Sequence, residues 1–89
     1  IITNNFTNFL FSLSKELVEA KDLDFDILKP LIKETVNKIH KLDPNEAQTG
    51  PARRNDSNIM KTHQKMLIDK NQKKLYKIIS EMIREKYGN

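Results

Sequence analysis

Apolar residues recur at steps of three and four along most of the chain, and alternation of apolar and polar residues at period two is confined to short runs such as "DLDFDI". The first spacing stacks side chains on one face of a helix; the second would mark a strand. Phe6, Phe9, Leu10, Leu13, Leu17 and Ala20 form the first stripe, widened by Phe11 and Val18. They predict a helix from the N-terminal stretch to about Ala20. A face this broad exceeds what one small neighbour covers, so contact with a second chain or domain is expected.

The junction "KDLDFDILKP" comes next. Asp24 is placed to cap a helix, with Leu23 and Leu28 spaced as a hydrophobic staple. Pro30 lies too deep to be the first helical residue. It either kinks the helix or starts its main body after one irregular turn. Leu31, Ile32, Thr35, Val36 and Ile39 then hold the helical period to about Leu42. In "DPNEA", Asp43 caps, Pro44 takes the first position and Glu46 the capping-box position. Only one turn fits, because Gly50 and Pro51 end regular structure.

A third full helix is expected from Asp56 or Ser57 to about Ile68, with Ile59, Met60, His63, Met66 and Leu67 on its inner side. A fourth should start after Asp69 or Asn71 and run to about Lys86, carrying Leu75, Ile78, Ile79, Met82 and Ile83. Gly88 marks its stop. The expected fold class is all-α, with about four helices plus a short helical turn in an orthogonal or bundle-like arrangement.

Composition narrows the function. With 89 residues, 37% hydrophobic and 31% charged, the chain is one small globular domain with a marginal core of its own. No apolar run approaches the roughly 20 residues that span a bilayer. The opening "IITNNFTNFLFSL" has no basic segment, cleavage site or methionine, so the chain is expected to begin partway through a larger protein or after removal of upstream residues. The lack of cysteine excludes disulfides, thiolate catalysis and cysteine-held metals, and points to a cytoplasmic location. The net charge of +4 permits a nucleic-acid partner without requiring one. Lysines are spread over all four helices with acids interleaved, so ordinary solvation is expected. A helical interaction or nucleic-acid-binding module is the alternative reading.

A dinucleotide site needs a glycine-rich turn between a strand and a helix. The two glycines, Gly50 and Gly88, cannot supply it. His40 and His63 have no partner at metal-ligand spacing, so no metal is expected. The remaining chemistry is in "TGPARRND", Thr49 to Asp56. Gly50 can adopt positive φ and Pro51 fixes the chain. Arg53 and Arg54 offer forked donors for carboxylate or phosphate. Asp56 caps the next helix, and His63 follows two turns later, near the same face. Imidazoles ordinarily titrate near neutrality, which suits a proton donor. The same pattern is also that of a plain turn and cap, with His63 as a hydrogen-bonded packing residue.

The segments "NNFTNFLFSL", "FDILKPLIKETVNKI", "TGPARRNDSNIMKTHQKML" and "LYKIISEMI" together resemble the C-terminal helical domain of Rossmann-like NAD(P)-dependent oxidoreductases. That domain is catalogued only as one of unknown function. The parent proteins are similar to pyrroline-5-carboxylate reductase and to the 6-phosphogluconate-dehydrogenase-like group. The resemblance implies an N-terminal Rossmann-like domain holding NAD(P), a homodimer assembled through the helical domain, and a small-molecule substrate in a cleft that it closes. The helical chain alone would then hold no cofactor and not catalyse hydride transfer. By position Asn8 matches an asparagine of the family's first helix. Thr49, Gly50, Pro51, Arg54, Asp56 and His63 match its later motif. Asn8, Thr49, Gly50, Arg54 and Asp56 are thus expected to bind substrate, and His63 to move a proton. Asn55 stands where the family commonly has glycine.

Overall fold

The computed structural model describes residues 1–88, and among these every regular element is helical. A π-helical turn, Ile2–Phe6, leads into α1, Thr7–Glu19. A 3-10 turn, Phe25–Leu28, leads into α2, Lys29–Lys41. The one-turn α3 spans Pro44–Ala47, α4 Ser57–Met66 and α5 Lys70–Tyr87. The expected all-α class holds. The chain divides into two compact units, Ile1–Asp43 and a second beginning at Pro44.

In the first unit, α1 ends without glycine. Asp22 takes the left-handed conformation at φ 59°. The Leu23 N–H donates to the Val18 carbonyl and the Asp22 N–H to that of Glu19, each at 3.0 Å. This is the Schellman pattern, which satisfies the last carbonyls of a helix. Asp24 then accepts from the Asp26 N–H at 2.7 Å, and the chain makes one 3-10 turn. Pro30 falls in the first turn of α2, where its missing N–H has no helical partner to lose. Of the two outcomes the sequence allows at Pro30, the irregular turn before the main body is the one found. Lys29 bridges the two pieces through a 2.6 Å ion pair with Asp26.

Only part of the broad stripe of α1 is turned inward. Half-buried residues of this helix include Thr7, Phe11, Ser14 and Val18, themselves at helical spacing. Phe6, Phe9, Leu10 and Leu17 are exposed, Phe9 to 58%. On α2, Leu31, Val36 and Ile39 are exposed as well, Leu31 to 59%. These faces are built like core but lack a cover within the first unit.

In the second unit, Asp56 caps α4 by accepting from the Ile59 N–H at 3.2 Å. Asp69 caps α5 by accepting from Asn71 and Gln72, at 2.8 and 3.0 Å. Helix α4 stops at Met66, two residues short of expectation, because Leu67 is extended. Gly88 ends α5 as expected but in an extended conformation. Its lack of a side chain matters for space: an added Cβ would lie 2.8 Å from the Arg84 carbonyl oxygen.

Candidate functional site

The segment Gly50–Asp56 is a tight turn rather than an open loop. Gly50 has φ +103°, and a Cβ there would meet nothing, so glycine is required by backbone conformation and not by crowding. The Asp56 N–H donates to the Pro51 carbonyl at 2.8 Å and the Asn55 N–H to that of Ala52 at 3.2 Å. Asn55 sits between them at φ 57°. The turn therefore closes by the same Schellman pattern that ends α1, with asparagine in the left-handed position. The glycine common there in the family is replaced by a residue that still reaches the conformation.

Ala52, at 4% exposure, is the buried hydrophobic residue of this turn. Arg53 is laid over the Tyr87 ring, its guanidinium carbon 4.9 Å from the ring centroid. Its Nη1 is buried and has no hydrogen-bond partner among the described residues. A guanidinium on an aromatic face gains cation–π attraction. Tyr87 itself donates to Asn45 Oδ1 at 2.6 Å. The end of α5 thus pins the turn from below and ties it to α3. The two arginines read alike in sequence, but only Arg54 is exposed, where it lines an open depression with Asn55, Asp56, Ser57 and Asn58.

His63 is half-buried on α4. Its Nδ1 lies 2.8 Å from the Tyr76 hydroxyl of α5, and the two rings meet edge to face at 5.8 Å and 87°. Tyr76 also lines a cleft between the two helices with Met60 and Arg84. Residue spacing alone does not point to this partner, which is thirteen residues away with a helix break between.

Gly50, Arg54 and Asp56 therefore share one turn, Thr49 directly precedes it, and His63 lies two turns into the helix that Asp56 caps. Thr49 is exposed and Gly50 half-buried. Asn8 is exposed near the start of α1, in the first unit. Among the described residues no group of three acidic, histidine or cysteine side chains is placed to hold a metal ion. No helix among them is long and apolar enough to cross a membrane.

The family model described as Domain of unknown function (DUF2520) matches residues 1–83. The chain is also similar, at 45% identity over 94% of its length and with a TM-score of 0.90, to a crystal structure named as a "putative NADP oxidoreductase" from Bacteroides fragilis. It spans 33% of that protein's chain. Among curated proteins none matches. The resemblance seen in the sequence, to a helical domain catalogued only as one of unknown function, holds over nearly the whole length. The chain belongs to the family described as Domain of unknown function (DUF2520).

Proposed function

We propose that this chain is the dimerisation and substrate-cleft domain of an NAD(P)-dependent oxidoreductase. The observation that carries the reading is the 45% identity to a protein named as a "putative NADP oxidoreductase", of which the chain spans 33%. The described residues do not themselves fit a dinucleotide: they contain no strand, and Gly50 lies in a helical-type turn rather than a strand-to-helix turn. The coenzyme is therefore assigned to a Rossmann-like domain elsewhere in the same protein, in a cytoplasmic homodimer.

In this reading Arg54 engages an anionic group of a small-molecule substrate. It is exposed beside the turn and has no ion pair among the described residues. Asp56 competes weakly for it, because its carboxylate already accepts from the Ile59 amide. Thr49, Gly50 and Asp56 set the backbone from which Arg54 projects. Asn8 orients a polar substrate group. His63 holds or moves a proton, with Tyr76 fixing its ring through Nδ1 and leaving Nε2 for the substrate. Dimerisation is supported by the uncovered apolar stripes of α1 and α2, since burying a large aliphatic or aromatic side chain contributes about 1.5–3 kcal/mol.

The test is titration of the full-length protein with small carboxylates and with inorganic phosphate. Arg54→Ala should weaken binding of the preferred anion by about tenfold or more, as expected for a lost charge-assisted hydrogen bond. Unchanged affinity eliminates the anion role.

A further inference from the structure

The lysines are less evenly distributed than the chain as a whole suggests. Residues 57–80 contain six lysines and one aspartate, a net +5 against +4 for all 89 residues. The single acid, Asp69, is committed to the N-terminus of α5. The six lysines also share a place. Lys61 and Lys65 of α4 and Lys70, Lys73, Lys74 and Lys77 of α5 line one open groove. None of the six is in an ion pair among the described residues.

Five pairs within this set stand three or four residues apart on one helix, a spacing at which like charges destabilise the helix by a few tenths of a kcal/mol each. Asp69 and Glu81 flank the set, four residues from Lys73 and Lys77, but neither forms an ion pair with one of these lysines among the described residues. The four α5 lysines span seven residue steps, about 10 Å of helix axis. Duplex nucleic acid carries one phosphate charge per roughly 1.7 Å of axis, or about six over that length. The four α5 lysines are of the same order as the phosphates over that length, whereas one small anion would leave most of the six groove lysines unneutralised. The groove contains lysines and no arginine, so it offers point charges for phosphates rather than forked donors for base edges.

We propose that the α4–α5 groove binds the phosphate backbone of nucleic acid without sequence preference. This surface is separate from the turn that carries Arg54 and does not depend on the oxidoreductase reading. Binding should be electrostatic. A fluorescently labelled duplex of about 20 base pairs and arbitrary sequence, titrated with the purified protein, should bind with Kd of about 1–100 μM near physiological salt, weakening with a log–log salt slope of about −3 to −5. The variant Lys70→Gln/Lys73→Gln/Lys74→Gln/Lys77→Gln keeps side-chain length and helix propensity. It should reduce the slope by about 3 to 4 and the low-salt affinity at least tenfold. Arginine at the same four positions should retain binding. A control with Lys15, Lys21, Lys33 and Lys41 changed to Gln should lose less than about twofold, because those residues lie outside the groove. Circular dichroism confirms that each variant is folded. Absence of salt-dependent duplex binding overturns the proposal. So does equal loss in the control, or binding to phosphatidylserine vesicles but not to the duplex.

Discussion

Nδ1 of His63 and the hydroxyl of Tyr76 lie 2.8 Å apart, joining α4 to α5. Their rings also meet edge to face. Tyr76→Phe keeps the ring contact and removes the hydrogen bond. It should lower stability by about 0.5–1.5 kcal/mol. Tyr76→Ala removes both and should cost more. Urea denaturation of the three proteins checks the order; equal stability of Tyr76→Phe and wild type would show that the bond contributes nothing.

Backbone conformation makes Gly50 and Asn55 sensitive. Gly50→Ala should cost about 1–2 kcal/mol although its Cβ has room, because φ +103° is strained for an L-residue. Asn55→Ala should cost about 1 kcal/mol at φ 57°. Thermal unfolding measures both. A neutral Gly50→Ala would show that the turn relaxes freely.

The two aspartate caps differ in strength. Asp69 accepts from two amides at 3.0 Å or less, Asp56 from one at 3.2 Å. Each change to Ala should cost about 0.5–2 kcal/mol, with Asp69→Ala the larger. Helix content and urea midpoints read the ranking directly.

The Asp26 carboxylate hydrogen-bonds Lys29 and holds its pKa above the usual 10.5. A raised folded-state pKa stabilises fully below 10.5 and loses that contribution as pH rises through the raised value. The pair is exposed, so the effect is small. The stability difference between wild type and Asp26→Asn should stay constant from about pH 7 to 10 and narrow at higher pH. A difference that widens above pH 10 would contradict this sign.

The helices and their starts were legible because they depend on local chemistry. Asp24, Asp56 and Asp69 each accept from amides two or three residues ahead. Pro30 could be placed in a first turn once a preceding irregular turn was allowed. Gly50 announced positive φ; Asp22 did not, since aspartate reaches the left-handed region only when the surrounding turn holds it there. What the sequence hid is mostly long-range. The Arg53–Tyr87 and His63–Tyr76 contacts and the shared groove of six lysines arise only when α4, α5 and the turn fold together. The breadth of the α1 stripe was legible in the sequence, and Phe6, Phe9, Leu10 and Leu17 are the residues left open.

Those open residues lead to the most direct test. If α1 and α2 present an assembly face, the purified protein at micromolar concentration should sediment as a species of about twice 10.4 kDa. Phe9→Glu with Leu31→Glu should return it to single-chain mass, because a charge buried without a partner opposes association. A wild-type protein that sediments as a single chain throughout the micromolar range would contradict the account.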